Sequence, residues 1–325
     1  MKLNSNRLTF EQTNRFKGLL ILLIVFGHIS QLLQQYGSLH ATLYSFHVVS
    51  FLLLPFLFNQ DHLTLKNIKK NLRRIYIPYS LFFLLSLIAF SLIEHHFNTL
   101  SALKAWIIGS SALLKVETGF RIFWFFPALL STIILLMGYN MLSEKRKKIL
   151  FFMMLLTHIL IPFIPKHALF YFPLSSYISL YLFSIGLIVK YLYEHWNYSK
   201  HSLLISTIFI LSLALSYGSD FSLASAIFPN IIKNPLNFLL QDIIMIVSFF
   251  ALILWSKKLK FLESFGKYSL AIFTIHPFII QVVNKVYVWE TFMEGLLKFL
   301  MVLVITYGVV KIIYWMKIDK IIYPR

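Results

Sequence analysis

No cysteine occurs in this sequence. That excludes disulfides, thiolate-bound metal and a cysteine acyl-enzyme. Charge is scarce as well: 13% of the 325 residues are charged, where a soluble domain carries about 25%. Acids are scarcest, 12 against 30 lysines and arginines. Within the apolar segments described below, Asp242 is the only one. Proton-coupled carriers commonly use intramembrane carboxylates, so their near absence weakens a transporter reading. Short alternating strands are missing too. The apolar runs are long and continuous, which argues for membrane helices and against a β-barrel.

What is present is apolar: 58% of the residues are hydrophobic. Ten segments are long enough to be read as spans: Gly18–Leu33, Thr42–Phe58, Ile75–Ile93, Ile122–Leu142, Ile149–Ile164, Leu174–Tyr193, Leu203–Tyr217, Phe238–Trp255, Tyr268–Val283 and Leu296–Trp315. The expectation is an all-α, polytopic integral membrane protein, residues 1–325 forming one transmembrane domain with no soluble domain between spans. The first segment has no small-residue cleavage site and is read as a retained span. Ala102–Leu114 is apolar, short and flanked by Lys104 and Lys115, and reads as a helix lying in the interface.

Basic residues set the orientation. With the N-terminus inside, 23 of the 30 lysines and arginines fall on inside segments, and every inside segment contributes. The other 7 are Lys104, Lys115, Arg121, Lys166, Lys233, Lys285 and Lys298, on the outside. Both termini are therefore expected in the cytoplasm. The net charge of +18 is explained by topology, and no nucleic-acid partner is expected.

The first span carries the most unusual chemistry. Lys17 stands at its inner mouth and His28 eleven residues further on, about 16 Å along a helix and near mid-bilayer. His276 on the ninth segment and His47 on the second fall in the same middle layer by the same rule. Histidine moves protons near neutral pH, and ionisable groups inside a span face a cavity or the bundle interior. The bland alternative for each is a neutral histidine bonded between helices. His158 is left under that alternative. No His-x-x-x-His pair or nearby carboxylate supports a zinc site, so no metal is expected. Asp242 would orient a histidine or a sugar hydroxyl, or else snorkel to water. Trp124 and Phe125 open the fourth segment as a sugar-stacking platform or an interfacial aromatic belt, and composition favours the belt. Lys66, Lys69, Lys70, Arg73 and Arg74 either fix topology or bind phosphate.

Taken together, these stretches resemble the acyltransferase-3 family of bacterial membrane acyltransferases, which includes sugar O-acetyltransferases and fucose O-acetylase-like proteins. The family marker is Arg or Lys, ten residues, then His: here Lys17 to His28, inside Lys-Gly-(apolar)-Val-Phe-Gly-His. Phe46-His47 looks like its Phe-His-Met-Pro segment. Lys70-x-x-Arg73 before Pro78-Tyr79 looks like its Arg-x-x-Arg and Pro-Tyr. Trp124-Phe125-Phe126 looks like its Trp-Phe-Leu. Gly266-Lys267-Tyr268-Ser269, then His276-Pro277, looks like its Gly-Lys-x-Ser and His-Pro. There are departures: lysine replaces the arginine that many members carry, Val48-Val49 replaces Met-Pro, and Pro55-Phe56 replaces Ser-Gly.

The resemblance implies an acyl donor, usually acetyl-CoA, entering from the cytoplasm, and an acyl acceptor that is a hydroxyl of an extracytoplasmic polysaccharide or glycolipid. It implies His28 and His276 as catalytic residues, and Lys17, Lys70, Arg73 and Arg74 on the donor's phosphates. Trp124, Phe125, His47 and Asp242 would line the acceptor site. It also implies a multi-pass protein of the bacterial cytoplasmic membrane, in contact with lipid and in the family's stand-alone form. Two other functions compete: an exporter of polysaccharide or lipid-linked sugar, as some relatives have been proposed to be, and a non-catalytic membrane sensor.

Overall fold

Thr9 decides where the first helix begins. Its hydroxyl accepts the Gln12 N–H at 3.2 Å, and the Gln12 side chain accepts the Thr9 N–H at 3.0 Å, which closes a capping box. From there α1 runs over Phe10–Gly27. The computed structural model describes residues 7–29, 32, 37–94, 98–109, 111–161, 176–218 and 235–324. The helices that follow are α2 (Gly37–Phe58), α3 (Leu65–Glu94), α4 (Thr99–Ile108), α5 (Ser111–Thr118), α6 (Phe125–Asn140), α7 (Glu144–Leu160) and α8 (Ser176–His195). After them come α9 (Ser202–Gly218), α10 (Pro235–Ser256), α11 (Leu262–Lys267), α12 (Ser269–Val286), α13 (Phe292–Trp315) and α14 (Asp319–Ile322). Among the described residues there is no strand.

Six stretches are long and apolar enough to cross a membrane: Leu65–Ile93, Ile122–Asn140, Tyr198–Leu215, Phe238–Ser256, Ser269–Val286 and Phe292–Trp315. They correspond to the third, fourth and last four segments expected from the sequence. The end of the fifth expected segment, the start of the sixth, and Lys166 and Lys233 lie outside the described residues. The membrane signature is plain in α13. Its buried stripe is Gly295, Lys298, Val302, Thr306 and Val310, while Leu297, Leu300, Val304 and Ile312 are exposed. A helix whose outward face is the more apolar one is built for a lipid surround.

The chain divides into two compact units. The first is Met1–Phe51 with Val189–Trp315. Its core holds α1 against α10, α11 and α12, with α13 packed on α12 and α9 on α10. Phe16 meets Phe249 edge to face, and Phe46 meets Phe209 in the same way. The foot of α13 is fixed by Tyr307, whose hydroxyl is bonded to that of Ser264 and whose ring lies 5.1 Å from Phe265.

The second unit is Leu52–Ile188 with Met316–Arg325. Here the stretch Ala102–Leu114, expected as one short helix, is divided between two helices. The segment is a helical hairpin. α4 ends at Gly109, which holds φ +64 and whose missing Cβ would overlap the ring of Pro127. Glycine therefore meets two requirements at that corner, the left-handed backbone and the close approach. α5 then runs back, and Ser101 near the start of α4 donates to Glu117 near the end of α5. The hairpin lies along α3. Tyr79 donates to the Trp106 carbonyl at 2.8 Å, and Trp106 Nε1 donates to Ser80 at 3.0 Å. Two tyrosine- and tryptophan-borne hydrogen bonds, both partly buried, hold α4 on α3, where each polar group finds its partner.

Candidate functional site

α1 carries one end of the candidate site. Lys17 is half-buried on its second turn, and the helix continues without interruption to Gly27, with His28 as the cap residue. The backbone of α1 is held unusually close to α11. A Cβ at Gly18 would overlap the Leu262 carbonyl oxygen, and a Cβ at Gly266 would overlap the Asn14 carbonyl oxygen. Two glycines, one on each helix, thus let the backbones meet directly. Arg15 reinforces the crossing by donating to the Lys257 carbonyl at 2.9 Å and pairing with Glu263 at 3.4 Å. Lys257 follows α10, and burial pushes its ammonium below the usual lysine range.

That crossing fixes α1 relative to α11 and so to α12, which carries His276. The two histidines meet: His28 Nδ1 lies 3.4 Å from His276 Nε2, with ring centroids 5.1 Å apart. His276 is fully buried. Carbonyl partners fix the tautomers. His28 Nδ1 lies 2.7 Å from the Ile24 carbonyl and His276 Nδ1 lies 3.0 Å from the Ile272 carbonyl. A carbonyl only accepts, so both Nδ1 atoms carry the proton in the neutral rings. His276 Nε2 is then an acceptor for the His28 Nδ1–H, which it shares with Ile24. His28 Nε2 is left as the basic nitrogen of the pair. When it takes a proton, the imidazolium still has two acceptors at Nδ1. This is the orientation logic of a catalytic triad with neutral acceptors in place of the carboxylate.

The acyltransferase-3 family model, an acyltransferase domain, matches residues 13–315. The chain belongs to the acyltransferase-3 family. No curated protein matches it, and no solved structure does. Family and apolar helices together make it a multi-pass membrane acyltransferase.

Other residues named from the sequence fall in different places. Within the first unit, His47 is fully buried on α2, its Nδ1–H directed to the Leu43 carbonyl and its ring edge-on to Phe46. Asp242 on α10 is 4% exposed, so it does not snorkel to water. In the second unit of this acyltransferase-3 protein, Lys70, Arg73 and Arg74 are exposed on the first turns of α3, and Lys70 pairs with Asp61 at 3.0 Å. Such an exposed pair contributes little to stability. Trp124 keeps partial exposure at the head of α6, whereas Phe125 is 1% exposed with its ring edge-on to Phe126. His158 donates Nδ1–H to Ser184 at 2.7 Å and stacks on Tyr181, a histidine bonded between helices. Among the described residues, no group of three His, Cys, Asp or Glu side chains could hold a metal.

Two features were missed in the sequence. One is the reciprocal glycine crossing, whose only signal was the Lys17-Gly18 and Gly266-Lys267 dipeptides. The other is Lys298, counted above among the outside charges at the start of the tenth segment. It is 1% exposed on the second turn of α13.

Proposed function

We propose that this protein is an O-acyltransferase that takes an acetyl group from cytoplasmic acetyl-CoA to a hydroxyl of an extracytoplasmic polysaccharide or glycolipid. It would work as one domain of ten spans with both termini inside, in a bacterial cytoplasmic membrane. The observation that carries the reading is the His28–His276 pair. A base with a defined basic nitrogen, oriented by a second buried histidine on another helix, serves proton transfer in a way that a scaffold does not need.

In the proposed reaction, His28 Nε2 takes the proton of the acceptor hydroxyl as its oxygen attacks the thioester carbonyl. His276 steadies the resulting imidazolium through the Nδ1–H. The imidazolium then protonates the leaving sulfur of coenzyme A. General acid–base work of this kind is worth about 100- to 10,000-fold. Lys17, and in the second unit Arg73, Arg74 and Lys70, are each proposed as ligands for donor phosphates. Trp124, which keeps partial exposure, is proposed to stack on a sugar, and Phe125 to pack behind it. His47 and Asp242 are kept as buried acceptor-side groups.

The test is acetyl-CoA-dependent labelling of membrane glycan by cells that carry or lack the protein. Radiolabelled acetyl should appear as alkali-labile ester on glycan only when the protein is present. Equal ester content in both would refute the reading. A cysteine placed at Lys147 should resist an impermeant thiol reagent in intact cells, and labelling there would contradict the ten-span orientation.

A further inference from the structure

Lys298 is the buried charge that the reaction above does not use. It lies inside the membrane-length helix Phe292–Trp315, in a stripe with Gly295, Val302, Thr306 and Val310 that faces the protein. With 1% of the residue exposed, its ammonium is covered by protein. Burying an ammonium in a bundle is expensive, and such residues mark functional sites by default.

Two independent contacts give its level. Tyr307 on α13 meets Tyr268 at the foot of α12, ring centroids 6.1 Å apart. Counting from that contact, His276 is eight residues up α12 and Lys298 is nine residues up α13. Those are climbs of about 12 and about 13.5 Å on two helices that pack directly on each other. Second, Phe299 meets Phe26 edge to face at 5.6 Å. The residue next to Lys298 therefore touches α1 two positions before His28. Both contacts put Lys298 in the layer of His28 and His276, on a third helix of the same unit.

We propose that Lys298 is a further catalytic residue, whose ammonium binds the oxyanion that forms on the thioester carbonyl during acyl transfer. This rests on the acyltransferase reading above. The acceptor hydroxyl loses its proton to His28 Nε2 while its oxygen bonds to the carbonyl carbon. The carbonyl π electrons move to oxygen and face the Lys298 ammonium. Collapse re-forms the carbonyl, breaks the carbon–sulfur bond, and the proton on His28 passes to the departing sulfur. The products are an ester and free coenzyme A. A cation fixed in a water-poor layer stabilises charge that exists only in the transition state, so its effect belongs in kcat rather than in donor binding.

The experiment uses full-length protein purified in detergent, acetyl-CoA as donor and total membrane glycolipid of the expressing cells as acceptor. Lys298→Met keeps the bulk of the stem and removes the charge. It should lower kcat by about 100-fold or more with the KM for acetyl-CoA changed less than about threefold. Lys298→Arg should recover most of the rate, because the cation returns. Lys298→Met at the wild-type kcat would overturn the proposal, and so would Lys298→Arg and Lys298→Gln being equally inactive though folded. If every variant loses its thermal transition, Lys298 belongs to packing and the proposal is wrong. Absence of transfer by the wild-type protein would instead sink the acyltransferase reading, so the two failures are told apart.

Discussion

Replacing Gly266 by alanine tests the link between helix packing and the histidine pair. The added methyl would lie on top of the Asn14 carbonyl oxygen, which is backbone and cannot rotate away. To reach ordinary van der Waals contact, α1 and α11 must part by about 1 Å or more, and overpacking of that kind costs about 1–3 kcal/mol. The same movement displaces His28 from His276, which meet at only 3.4 Å. A misplacement of about 1 Å at reacting groups costs about 100-fold in rate. The assay pairs thermal unfolding in detergent with acetyl transfer to membrane glycolipid. Gly308→Ala is the control, because nothing lies within 4 Å of a Cβ there. Alanine in an exposed helix interior is expected to be neutral or slightly stabilising, by up to about 1 kcal/mol. If Gly266→Ala matched the wild-type protein in both stability and rate, the close crossing would not be what positions His28.

Lys17→Gln should raise the KM for acetyl-CoA with the protein still inserted, and Lys17→Arg should restore it, since a phosphate needs the cation rather than the ammonium. An unchanged KM would leave Lys17 with topology alone. Tyr79→Phe leaves the Trp106 carbonyl without the 2.8 Å bond it accepts inside the second unit. The loss should lower stability by about 1–3 kcal/mol, read as a lower unfolding temperature, and a temperature equal to wild type would show that the bond contributes nothing.

Much of the fold was legible because lipid simplifies the rules. Apolar runs of span length can be satisfied only as helices, and six such stretches stand where the sequence placed them. Lys17 to His28 was legible because a fixed rise per residue turns spacing into depth. The hairpin of α4 and α5 was not. Its cause is the Gly109 corner against Pro127 and the partners that Tyr79 and Ser80 offer to Trp106, all of them tertiary. Lys298 was misread for a related reason. As the third residue of Leu296–Trp315 it reads as a charge at the outer mouth of a span, until the helix is seen to begin at Phe292 and to turn that residue inward. The pairing of His28 with His276, 248 residues apart, could be narrowed by depth to one layer but not to contact.

The central claim is that His28 moves the proton in acyl transfer. Its most direct test is the rate of acetyl transfer by purified His28→Gln. Glutamine keeps similar bulk and hydrogen-bonding capacity but cannot accept and release a proton near neutral pH. The account predicts a fall in rate of about 100-fold or more with acetyl-CoA binding retained. Transfer at the wild-type rate would contradict it, and His28 would then be a histidine that ends a helix and nothing more.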